Sequence, residues 1–181
     1  MKIELKSTVL LVMTLAILPA AAMAGDHPSD HPAATAADAE AHKQMEGLVT
    51  MCDASADART ARQEEKSLYD RLGGYDKIHE LCEEIVRLHQ QNEDFRLMMG
   101  YVDGDHLAKQ VADFMAAGTG GTAEYDGRNM VDAHAHLALT EADFLSAGSD
   151  VMQAMKNMGY GEDETNEVVC ILVSMKDMVI K

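Results

Sequence analysis

After an opening apolar run, large apolar residues are sparse along the first third of the chain, and from Ser67 onward they recur every three to four positions. That recurrence is the helical period. Leu68, Tyr69 and Leu72 share one face of a short helix that Gly73-Gly74 ends, glycine accepting the left-handed geometry of a helix terminus. Ile78, Leu81, Cys82, Ile85, Leu88 and Val86 mark a second helix, which fades into Gln90-Gln91-Asn92-Glu93-Asp94. A third helix, from about Asp105, sets Leu107, Val111, Phe114 and Met115 on one side and stops within Gly118 to Gly121. A short helical piece follows Tyr125-Asp126-Gly127 and runs from Met130 to Leu137. Thr140, with Asp143 three residues on, is a capping-box pattern that opens a long helix striped by Phe144, Val151, Met155 and Met158. The last helix, about Asp163 to Ile180, is apolar on a broad face at Val168, Val169, Ile171, Leu172, Met175 and Val179, as expected of one packed centrally. No stretch alternates convincingly as a strand does, so the fold class expected is all-α.

The segment before Ser67 divides in two. Lys2 and Lys6 flank the start of an apolar run from about Val9 to Ala22, and Ala22-Met23-Ala24 supplies the small residues of a cleavage site, so residues 1–24 are expected to be a signal peptide. The run is shorter than a spanning helix and contains Pro19, which disfavours an uncleaved anchor. Residues 25–66 are rich in Ala, Asp, Glu and His and poor in large apolar residues, so an acidic, largely disordered arm is expected. Within it Met45, Leu48, Val49 and Met51 are spaced for a short helix that Ala54 to Glu65 could extend. Residues 67–181 are left for a single domain.

Charge narrows the range of functions. The formal charge is −16, and removal of Lys2, Lys6 and Glu4 with the leader takes it to −17. Such a surface repels nucleic acid and anionic membrane, so neither is an expected partner, and a soluble small-molecule role fits better. The short basic leader points to export, with a bacterial periplasm as the expected compartment. Cys52, Cys82 and Cys170 form neither a zinc pattern nor a disulfide framework. Cys82 and Cys170 lie on apolar helical faces and read as buried core thiols, while an oxidising compartment leaves open a bridge involving Cys52.

An all-α domain with no nucleophile motif, no phosphate loop and no metal ligands at i, i+4 offers few enzymatic readings. The histidines remain. His134 and His136 stand about 200° apart around a helix axis, so only one can face a pocket. Met130, His134 and Leu137 share the buried face by spacing, and His136 turns outward.

Ser67-Leu68-Tyr69-Asp70-Arg71-Leu72-Gly73-Gly74, then Gly120-Gly121 before Tyr125-Asp126-Gly127-Arg128-Asn129-Met130, then Ala133-His134-Ala135-His136-Leu137-Ala138-Leu139-Thr140, resembles a group I truncated haemoglobin in order and spacing over about Ser67 to Val179. The resemblance implies a truncated globin-like two-over-two helical sandwich around haem b (iron protoporphyrin IX). It also implies that His134 is the proximal ligand to the iron, with Met130 and Leu137 beside it. A neutral imidazole bonds iron through one ring nitrogen and leaves the opposite face for a small ligand.

Where the family commonly has Phe-Tyr late in the second helix, this chain has Ile85-Val86, so the hydroxyl that would hold bound dioxygen is missing. Met98-Met99 stand where a Phe pair packs on haem. On the third helix Leu107, Gln110 and Val111 align with the pocket, leaving Gln110 as the polar candidate to approach a ligand, and His106 as either a surface residue or a sixth ligand. The leading expectation is therefore a protein that binds a diatomic gas (O2, NO or CO) at haem, with NO or CO favoured over oxygen storage. Nitric oxide dioxygenase chemistry is its enzymatic version, less supported here because it needs distal donors and Gln110 is the one obvious candidate. The alternatives are a six-coordinate electron-transfer or haem-handling protein with a redox partner, and a haem-free interaction module. Separately, cleavage after Ala24 would leave Gly25-Asp26-His27 at the amino terminus, a square-planar nitrogen set suited to Cu(II) or Ni(II), against which stands a plain solvated tail.

Overall fold

In a computed structural model of the chain, residues 35–181 are described. The expected signal peptide and the Gly25-Asp26-His27 set lie outside them. Ten helices follow one another: α1 (Ala36–Ala54), α2 (Ala56–Glu65), α3 (Leu68–Arg71), α4 (Tyr75–Gln91), α5 (Arg96–Met99), α6 (Gly104–Thr119), α7 (Met130–His134), α8 (Glu141–Asn157), α9 (Glu162–Ser174) and α10 (Lys176–Val179). Among these residues there is no strand, only an isolated bridge between Leu139 and Ile180. No described helix is long and apolar enough to cross a membrane.

The α4–α6 and α8–α9 pairs form the two layers, joined chiefly by α4 on α8. Leu72, Ile78, Leu81, Cys82, Met155 and Val168 are sealed between them. Local chemistry sets the ends of these helices. Gly73 and Gly74 stop α3 with φ of +97° and +80°, and Gly120 stops α6 at +109°, values a side chain would resist. Thr140 accepts from the Asp143 amide at 3.2 Å while the Asp143 carboxylate accepts from the Thr140 amide at 2.9 Å, so the expected capping box opens α8. The last helix, expected as one, resets at Met175 into α10.

The face of α6 differs from expectation. Its buried stripe is Ala108, Ala112 and Ala116, which let α4 approach closely, and the larger Leu107, Val111, Phe114 and Met115 are only half-buried. Periodicity in large residues thus marked a flank of α6 and missed the face against α4, where small side chains shorten the distance between helix axes.

The expectation of a largely disordered arm over 25–66 is corrected for residues 36–65. Thr35 and Asp38 form a capping box at the head of α1, and α1 packs on α8 and α9. Ala41, Met45 and Cys52 are buried there, with Leu48, Val49 and Met51 half-covered. Cys52 is bonded to Cys170 of α9, which also corrects the reading of Cys170 as a free thiol. Cys82 is buried and free, as expected. Helix α2 is held by charge: Arg62 donates to Glu167 at 2.6 Å, and Arg71 of α3 pairs with the same carboxylate. Glu167 is 5% exposed, and a buried carboxylate is tolerated because two guanidiniums face it. The composition of the arm could not show this, because every one of these partners lies about a hundred positions away.

Candidate functional site

The short α7 is built to present one histidine. Asn129 caps it, its side-chain oxygen accepting from the Asp132 amide at 2.9 Å. The far end is fixed from behind: α7 packs on α10, and the Lys181 amide donates to the Leu139 carbonyl at 3.0 Å. Between these anchors His134 is half-buried and His136 exposed, the division expected from their spacing. Met130 and Leu137 are half-buried on the His134 side. Regular helix ends at His134, earlier than the Leu137 expected, and the chain turns through Ala138, whose φ of +50° is unusual for a residue with a side chain.

His134 Nδ1 lies 2.8 Å from the Met130 carbonyl oxygen. A carbonyl only accepts, so Nδ1 carries a proton, and in the neutral imidazole the lone pair is then on Nε2. This fixes the tautomer and ring orientation, the arrangement by which a second hydrogen bond readies an imidazole to bind a metal. The sequence placed Met130 beside His134. It gave no sign that the Met130 carbonyl would be the hydrogen-bond partner.

The approach to α7 is tied to α6. The Phe114 and Tyr125 rings meet edge to face at 5.2 Å, and the Tyr125 hydroxyl donates to the Arg128 carbonyl at 2.6 Å. A Cβ on Gly127 would meet the Gln110 carboxamide and stand 2.6 Å from Cζ of Tyr125, so any larger residue would have to displace these side chains where they cross. Gln110 is accordingly directed at the Tyr125–Gly127 turn. Leu107 and Val111, on the same flank of α6, are half-buried and apolar.

The remaining expected residues are divided between core and surface. Val86 is buried at the α4–α6 crossing, where a Cβ on Gly104 would lie 3.5 Å from its Cγ1, and it borders a groove with Glu83, Arg87 and Gln90. The methionine pair separates: Met99 is buried in the main core and Met98 is half-exposed. The physical reason is the tight turn of α5, which directs adjacent side chains to different sides. His106 is exposed, and its backbone amide donates to the capping Asp103 carboxylate. No cluster of three or more potential metal ligands occurs among the described residues.

Two stacked helix pairs with a tautomer-fixed histidine on a short helix beside them define a globin of the truncated, two-over-two type. The chain belongs to the bacterial-like globin family, whose model matches residues 67–181, and within it to the group I truncated globins. It is 26% identical over 117 residues to a group 1 truncated hemoglobin of Tetrahymena pyriformis, covering 64% of this chain and 97% of that one. It is 30% identical over 112 residues to the group 1 truncated hemoglobin GlbN of a Synechocystis species, covering 58% and 88%. Among solved structures, a variant of the Tetrahymena pyriformis truncated hemoglobin in its Fe(III) form superposes with a TM-score of 0.61 at 23% identity, over 64% of this chain and 98% of that one. The 2/2 hemoglobin of a Synechococcus species, in the cyanomet state with covalently attached heme, gives 0.56 at 25%, over 62% and 94%. Helices α1 and α2, with Cys52, lie outside the family match, and the disulfide joins them to Cys170 within it.

The residues fit the iron porphyrin that the resemblance implies. An imidazole with an uncommitted Nε2 is the donor such iron takes, and the half-covered apolar side chains of Leu107 and Val111 on α6 and of Met130 and Leu137 at α7 suit a flat apolar ring.

Proposed function

We propose that this chain is an exported haem protein that binds a diatomic gas at iron held by His134. The observation that carries the reading is the 2.8 Å hydrogen bond from His134 Nδ1 to the Met130 carbonyl, which orients the ring and leaves Nε2 as the nitrogen that would bind iron. Haem b, when bound, would supply an iron able to take a small gaseous ligand. Met130, Leu137, Met98, Leu107 and Val111 supply the half-covered apolar surface that would hold the ring and exclude water.

The gas favoured is nitric oxide or carbon monoxide over tightly held dioxygen. Val86, Leu107 and Val111 offer no hydrogen-bond donor, which leaves the Gln110 carboxamide, directed at the Tyr125–Gly127 turn, as the one polar candidate. Retention of dioxygen and its use in oxidising nitric oxide both call for such a donor. Export from residues 1–24 into a periplasm accords with the Cys52–Cys170 disulfide, a bond that persists in oxidising compartments.

Titration of the purified protein with haemin tests the proposal. Absorbance should break at one haem per chain, and the ferrous form should take carbon monoxide with a sharp Soret shift. Uptake without a stoichiometric break would contradict it and favour a haem-free module.

A further inference from the structure

The two most exposed large apolar side chains in the described residues lie four positions apart. Leu97, in α5, is 81% exposed and Tyr101, just beyond its end, is 95% exposed. Val102 is 37% exposed beside them, and Met98 is half-buried in the same turn. Neither Leu97 nor Tyr101 contributes to either apolar core. A leucine and a tyrosine held almost wholly in water on one short turn are costly to leave there and are characteristic of surfaces that dock.

Charge selects the occupant. Exposed Glu93, Asp94, Asp103 and Asp105 flank the turn on both sides, with Arg96 as the only cation among them, on a chain of net charge −16. A second copy would bring the same carboxylates against these, and an anionic lipid surface would be repelled. We propose that Leu97, Tyr101 and Val102 form the centre of a docking surface for a protein that presents an apolar patch ringed by lysine or arginine. The aromatic anchor supplies affinity at the centre, and the carboxylate rim supplies orientation and rate of encounter. Met98 stands in this turn, so a partner seated there lies beside one of the side chains assigned to the haem. That adjacency rests on the haem reading; the docking surface does not.

The test uses a lysine-ringed c-type cytochrome as probe, added to isotope-labelled protein, beside the double variant Leu97→Ser, Tyr101→Ser. Both side chains are in solvent, so the variant should keep the circular dichroism and unfolding midpoint of the parent. Supporting results are amide shifts concentrated in residues 93–105, saturable binding that about 0.5 M salt abolishes, and a dissociation constant raised about tenfold or more in the variant. The proposal is overturned by no saturable binding, or by equal binding of parent and variant, which would reduce the interaction to diffuse charge. It is also overturned if sedimentation shows a dimer that the variant breaks, or if the parent adsorbs to phosphatidylcholine vesicles and the variant does not. These measurements need no haem, so their failure is separate from failure of the haem titration.

Discussion

His134 shows how much one residue's meaning depends on its partner. As a histidine on an apolar face it reads first as packing, and the family motif Tyr125-x-Gly127-Arg128-x-Met130 reverses that reading. Its hydrogen bond to the Met130 carbonyl gives the motif a physical purpose. Other residues carry consequences that can be measured independently. Cys82 is buried, and its thiol is pushed up to about 12 by the loss of water around it. Since the thiolate is the reactive form, a thiol reagent at pH 8 should label no cysteine in the native protein, one in denaturant, and three after reduction. Labelling of native protein would show that α4 is not packed as described. Glu84 is held down to about 2 by hydrogen bonds from Arg87 and then Asn157, against an ordinary value of 4.5. A depressed carboxylate contributes stability above its unfolded value and loses it as pH falls through its folded one. The gap in urea midpoint between parent and Glu84→Gln should therefore be present at pH 6 and shrink between pH 4.5 and 2; the pair is at the surface, so the gap stays within about 1 kcal/mol. A gap independent of pH would remove the charge as its cause.

At the scale of elements, legibility followed sequence distance. The glycine stops of α3 and α6, the Thr140–Asp143 capping box and the stripes of α4 and α8 are local signals, and each element stands close to where the pattern put it. The core face of α6 was not legible, because three alanines carry almost no periodic signal while making the closest approach to α4. Helices α1 and α2 were not legible as packed elements either. Their own stripes are weak, and what holds them is Cys170 and Glu167 on the last long helix. Expected consequences follow for both cases. Ala112 is fully buried, so Ala112→Leu should force α4 and α6 apart and cost about 1–3 kcal/mol in chemical unfolding; a neutral result would show slack in that interface. The disulfide spans 118 positions, and constraining so long a loop is worth about 4–5 kcal/mol. Replacing Cys52 and Cys170 together by serine should lower the unfolding free energy by about that amount, with the haem titration unchanged. Loss of haem uptake in that variant would make α1 part of the cofactor site and not a support outside the family match.

The whole molecule is a group I truncated globin with an additional helical segment stapled to its back and an acidic surface. The fold class and its family were readable because the family motifs span most of the domain. The cofactor-facing side chains were less so, since alignment cannot show that Met99 turns into the core or that Gln110 is directed at the Tyr125–Gly127 turn. On the proposed reading, His134 Nε2 is the one directed protein ligand to the iron. The comparison of His134→Ala with His136→Ala in the visible spectrum, ferric and ferrous, tests this most directly. His136 is exposed and two positions away, so it controls for the loss of a histidine from the same segment. The account predicts that His136→Ala keeps the spectrum of the parent, and that His134→Ala loses it and regains a nitrogen-ligated spectrum when free imidazole is added. A parent-like spectrum in His134→Ala, or its loss in His136→Ala, would contradict the assignment of His134 as the iron ligand.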